Sequence, residues 1–146
     1  GNTCRSPMAE GLFRKLLSDK LGCQEDELSD HGFIIGSAGL AAASGAPPSP
    51  EGVTILAEQG IDIRSHESQP LTERLLDQSD HLYTMTKGHR AAILSERPDL
   101  AEVVQLLSPE GKDVSDPIGG GFQCYVDCKK EIEKHLKSII DQIRAS

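Results

Sequence analysis

The opening heptad, Gly1-Asn2-Thr3-Cys4-Arg5-Ser6-Pro7, constrains this chain more than any other stretch. A Gly-Asn pair permits a tight backbone with positive φ. Arg5 supplies a planar guanidinium fork that suits phosphate. Ser6 is expected to cap a helix, and Pro7 to take its first position. That helix start presents backbone N–H groups and a positive dipole end to an anion. The heptad therefore reads as the second half of an anion-cradling loop running into a helix. The plainer alternative is an ordinary helix start with a surface Arg.

Helices alternate with short β-type runs through the rest of the chain, which favours an α/β fold with a parallel sheet. Met8, Ala9, Leu12, Phe13 and Leu16 mark the apolar face of a first helix over residues 7–21. An acidic connector spans 22–32. Phe33-Ile34-Ile35 reads as a buried strand that ends at Ser37-Ala38-Gly39. After an Ala/Gly/Pro loop, Ser49-Pro50 opens a second helix, with Val53, Leu56 and Ala57 inward and Gly60 as its stop. Residues 71–78 form a short helix and 81–85 a strand. Thr86 caps a helix that ends before Pro98, and 103–107 is the last strand. A final helix over 122–144 carries Tyr125, Cys128, Ile132, Leu136, Ile139 and Ile143 on one face. Three strands are thus expected in one domain, at 33–38, 81–85 and 103–107.

Composition removes several function classes. The net charge of −8 argues against nucleic-acid or anionic-membrane partners. With no Trp, two Tyr and three Phe, base-stacking surfaces are not expected. No apolar run reaches the roughly 18 residues of a membrane span. Four Cys, at 4, 23, 124 and 128, form no dense framework, which suggests a reducing compartment and a cytoplasmic protein. Cys124 and Cys128 are expected to be small buried residues of the final helix rather than a metal or redox pair. The five His lack ligand spacing, so neither a metal nor another cofactor is expected.

A second motif lies between the last strand and the last helix, in Asp113-Val114-Ser115-Asp116-Pro117-Ile118-Gly119-Gly120-Gly121. Asp, Pro and Gly are turn residues, and a plain turn is the simple reading. Yet phosphoryl transfer needs a group that protonates the leaving atom and then takes a proton from water. One carboxyl at the mouth of an anion site can do both, and a Gly-rich loop lets it adjust.

Taken together, the two motifs resemble a known family. GNTCRSPMAE at residues 1–10 looks like the phosphate-binding loop of the low-molecular-weight protein phosphatases, whose pattern is Cys, five residues, Arg, Ser. Asp116-Pro117 resembles their general-acid loop. Ser37-Ala38-Gly39, Gly60-Ile61-Asp62-Ile63 and the stretch from Leu71 to Met85-Thr86 with His89 are similar too, so the resemblance covers nearly the whole chain. It implies a three-layer α/β fold around a four-stranded parallel sheet whose first strand is central. Counted back from Arg5, the nucleophilic Cys falls two positions before Gly1. The expectation is a truncated chain, lacking that nucleophile and the first strand, and unstable by itself. Cys4 resembles the second loop Cys. The relationship permits it a protective disulfide with an upstream nucleophile, or it simply packs under the loop.

The resemblance also implies roles. The loop Gly1, Asn2, Thr3, Cys4, Arg5 and Ser6 binds the phosphoryl oxygens; Arg5 and Asp116 are the catalytic residues in this chain. Members acting on phosphotyrosine carry a larger aliphatic residue in place of Thr3 and aromatics just after Asp-Pro. Here Ile118 and Gly119 follow. Thr3 is what the bacterial protein-arginine phosphatases show, so Thr3 and Ile118 favour phosphoarginine, with phosphotyrosine the alternative. The reaction expected is hydrolysis of a phosphorylated protein through a cysteinyl-phosphate intermediate. Arsenate reductases share the loop but need redox Cys mid-chain, and residues 80–90 contain none. A non-catalytic phosphate-binding module remains the alternative of another class.

Overall fold

The computed structural model describes residues 4–40 and 44–143. The first helix, α1 (Arg5–Leu21), starts two residues earlier than expected, with Cys4 at its N-cap. Ser6 is therefore inside the first turn and makes no cap hydrogen bond. Pro7 sits in that same turn, where its missing N–H has no intrahelical partner to lose. A 3-10 turn over Glu25–His31 fills the acidic connector. Then come α2 (Pro50–Ala57), α3 (Glu73–Gln78), β1 (Leu82–Thr84), α4 (Lys87–Glu96), β2 (Val104–Leu106) and α5 (Phe122–Asp141).

Among the described residues, β1 and β2 form a two-stranded parallel sheet with Leu82 opposite Val104 and Thr84 opposite Leu106. Its two faces bury different clusters, as strand alternation requires. Leu82 and Val104 pack with Leu76 of α3 and Ile93 of α4. Tyr83, Met85 and Leu107 pack on the other side with Met8 and Leu12 of α1, Leu56 of α2, and Ile132 and Leu136 of α5. The result is an α/β arrangement in which α1 and α5 lie against each other on that second face.

Gly11 makes the approach of α1 to the 56–63 segment possible. A Cβ there would lie 2.7 Å from Ile63 Cγ2 and 3.2 Å from Ile61 Cγ2. Those methyls are fixed by β-branching and have little room to move.

The third expected strand, 33–38, does not form. Ile34 is 94% exposed instead of buried. Phe33 N donates to the Leu28 carbonyl at 3.0 Å, and two carbonyls of this segment are met by side chains instead of a ladder. Arg14 donates to the Ile35 carbonyl, and Gln69 Nε2 donates to the Ser37 carbonyl at 2.8 Å. Only an isolated bridge, Gly39 to Pro70, has sheet character. Two inward assignments also change. Ala57 is exposed and Ile55 takes the buried position on α2. Cys124, expected in the core, is exposed on the first turn of α5, whereas Cys128 is buried.

Candidate active site

The start of α1 and the loop before α5 meet at the edge of the main core. Cys4 and Arg5 arrive from α1. Arg5 is 15% exposed and Asp116 50%. Arg5 Nη1 donates to the Val114 carbonyl at 2.5 Å, and Arg5 Nη2 lies 3.9 Å from Asp116 Oδ2. Two side chains from opposite ends of the chain thus share one small volume. Gly1, Asn2 and Thr3 lie outside the described residues, so the loop is described only from Cys4 onward.

Why Asp116 sits there follows from its neighbours. Val114 N donates to the Met85 carbonyl at 2.8 Å, extending the sheet's hydrogen bonding past β1. Asp113 Oδ1 accepts from Lys87 N at 2.8 Å, which ties the loop to the start of α4. Asp116 Oδ1 accepts from Ile118 N at 3.1 Å, the turn an Asp before a Gly run is suited to. Gly120 N then donates to the Pro117 carbonyl at 3.0 Å, and Gly119 and Gly121 both take positive φ. A Cβ on Gly120 would fall 2.6 Å from Cys124 Sγ, so the loop closes onto α5 only because that residue is Gly. Ile118 projects from the turn, 60% exposed.

Three side chains around this volume were not read as site residues from sequence. His89 is half-buried on α4, and burial followed by repulsion from Arg5 lowers its pKa, with Asp113 and Asp116 pulling the other way. Helical spacing places Tyr125 and Cys128 on the apolar face of α5. Tyr125 Oη is 3.8 Å from Cys4 Sγ, and the Cys128 thiol donates to the Ser115 carbonyl at 3.7 Å. Their spacing of three residues on a buried helical face gave no sign of what lay opposite.

A further polar cluster braces α1 from behind. Glu10 accepts from Ser37 Oγ at 2.8 Å and from Arg14 Nη2 at 3.1 Å, and His66 Nδ1 lies 4.0 Å away. It holds the 35–37 and 66 segments against the helix that carries Arg5.

A helix start, a guanidinium and a half-exposed carboxyl in one place suit an anion that exchanges a proton. Among the described residues, no group of three or more His, Cys, Asp or Glu is arranged to hold a metal ion. No described helix is long and apolar enough to cross a membrane.

The family described as low molecular weight phosphotyrosine protein phosphatase matches residues 1–146. The chain belongs to that family. A protein-arginine-phosphatase of Bacillus subtilis (strain 168) is 32% identical, over 99% of this chain and 92% of the relative. A probable low molecular weight protein-tyrosine-phosphatase, EpsP of Ralstonia solanacearum, is also 32% identical, again over 99% of this chain and 92% of its own length. The crystal structure of a low molecular weight protein tyrosine phosphatase from T. tengcongensis superposes with a TM-score of 0.85 at 32% identity, covering 98% of this chain and 94% of that one. The α/β architecture built up above is thus that of the low-molecular-weight phosphatases. That family consists of phosphatase enzymes.

Proposed function

We propose that this chain provides the phosphate-binding and general-acid parts of a protein phosphatase, with phosphoarginine the favoured substrate. The observation that carries the reading is the approach of Arg5 to Asp116, 3.9 Å apart at the helix start. Arg5 binds two phosphoryl oxygens, joined by the N–H groups of the loop Gly1 to Ser6. In a version that carries a Cys two positions ahead of Gly1, the spacing the family resemblance implies, its thiolate would attack phosphorus in line. The bond to the leaving nitrogen or oxygen breaks as Asp116 delivers a proton to it. The Asp116 carboxylate then takes a proton from water, whose oxygen attacks the cysteinyl phosphate and releases phosphate and thiolate. No residue of the 146 stands at the nucleophile's spacing from Arg5, and Cys4 is adjacent to Arg5 instead.

Thr3 and Ile118 support the arginine preference, and so does the relative named a protein-arginine-phosphatase. The relative named a tyrosine phosphatase supports the phosphotyrosine alternative. The deciding test compares the 146-residue chain with a version extended to carry Cys two positions ahead of Gly1. The extended version is expected to hydrolyse phosphoarginine faster than phosphotyrosine in protein substrates, and Thr3→Ile to shift that ratio toward phosphotyrosine. Turnover by the 146 residues alone would remove the upstream thiolate from the mechanism. An unchanged ratio removes Thr3 as the selector. Phosphate binding with no turnover in the extended version leaves the binding-module reading.

A further inference from the structure

We infer that Tyr125 and Cys128 are positioning residues: one turn of α5 grips both halves of the site and sets the separation of Arg5 from Asp116. The inference rests on the functional reading above. Tyr125 meets Cys4, the residue directly before Arg5, through a 3.8 Å contact between hydroxyl and thiol. Cys128 meets the carbonyl of Ser115, the residue directly before Asp116, at 3.7 Å. The two halves approach from α1 and from the loop after β2, and the face of α5 between 125 and 128 is where both are touched.

The chemistry of the two side chains fits holding better than filling. Both are buried within the main core, where Phe and Val would pack as well without polar atoms to satisfy. Each polar atom has a partner, and each partner is one residue from a working side chain. Burial, then the Cys4 hydrogen bond, pushes the Tyr125 pKa up to about 12. Burial likewise pushes Cys128 up to about 12. Both keep their protons at neutral pH, so the thiol remains a donor to Ser115 and the phenol remains an uncharged partner of Cys4. Because Arg5 Nη1 also bonds the Val114 carbonyl, the residue next to Ser115, a shift of either grip is transmitted to the other half.

The test measures inorganic-phosphate affinity of the full 146-residue chain by titration calorimetry, and turnover of the version extended with the nucleophile. Tyr125→Phe keeps the ring and removes the hydroxyl. It is expected to weaken the phosphate Kd by roughly threefold to tenfold, the scale of one hydrogen bond, with the thermal midpoint little changed. Cys128→Val is expected to lower kcat by a similar factor while KM holds, and Cys128→Ser, which restores a donor, to recover most of it. A purely structural role would move stability without this split or this rescue. If the parent binds phosphate and folded Tyr125→Phe and Cys128→Val proteins match it in Kd and kcat, the positioning role is overturned and the functional reading stands. If the parent neither binds nor turns over, both fall. Should Cys128→Val not fold, Tyr125→Phe decides alone.

Discussion

Two arginines of this chain face carboxylates, and they do so in opposite ways. Arg97, between α4 and the turn that follows it, reaches Glu73 at 2.6 Å, Asp77 at 2.9 Å and Asp99 at 3.0 Å. Those acids, with the hydrogen bond to Asp99 first, hold its proton more firmly than usual. Arg5 is slightly more buried, yet among the described residues it meets one carbonyl and one carboxylate at the outer limit of pairing. A guanidinium has five N–H donors in a fixed fork. Arg97 commits its fork to neighbours and so joins α3 to α4. Arg5 keeps capacity for an oxyanion. The contrast separates a base spent on its neighbours from one that the proposed function keeps for an anion.

The comparison breaks most readily at Arg5. Arg5→Ala is expected to abolish phosphate binding in calorimetry and to cut turnover of the extended version by about a thousandfold. Retained binding would make Arg5 a second brace. Asp116→Asn should lower kcat by about a hundredfold or more while phosphate binding is kept or improved, since a nearby negative charge is removed. Equal losses in kcat and Kd would assign Asp116 to binding instead of proton transfer.

The two regions should also fail at opposite ends of the pH scale. Burial pushes Tyr125 and Cys128 up to about 12 in the fold, against ordinary values of 10.0 and 9.0. The folded state therefore holds more protons than the unfolded chain in that window. Their contribution is full below about pH 9 and lost as pH rises toward about 12. Asp99 behaves in reverse, because its hydrogen bond to Arg97 lowers its pKa below the ordinary 3.8. Its contribution is present above that value and lost as pH falls. Denaturant midpoints across pH are expected to show an alkaline decline that Cys128→Val flattens. The smallest effect is at the acid end, where Arg97→Ala should remove a shallow decline and leave phosphate binding unchanged. A change in phosphate affinity in Arg97→Ala would dissolve the distinction between the two arginines.

Local patterns carried some elements and not others. The apolar spacing of Met8, Leu12 and Ile132, Leu136 was enough for α1 and α5, because a long helix needs only its own backbone partners and one face to bury. Thr86 was legible as a cap, and its hydroxyl does accept from His89 N at 3.1 Å. Phe33-Ile34-Ile35 misled because a strand exists only with a neighbour, and an apolar triplet does not say where its neighbour is. Cys124 misled because it stands in the first turn of α5, off the face that packs on the core, and is exposed. Ser6 and Pro7 misled by position alone, since several residues of a first turn tolerate the same chemistry.

The sequence by itself determined the chain's class, its two main helices and the two motifs from which phosphatase chemistry can be argued. These are short-range properties: residue type, period and order along the chain. Only the tertiary structure brought Arg5 to Asp116, set Tyr125 against Cys4 and Cys128 against Ser115, and spent Arg97 on a brace. Hydrogen bonds and charge pairs depend on separations of a few ångströms between residues far apart in the chain, and no local pattern records those separations.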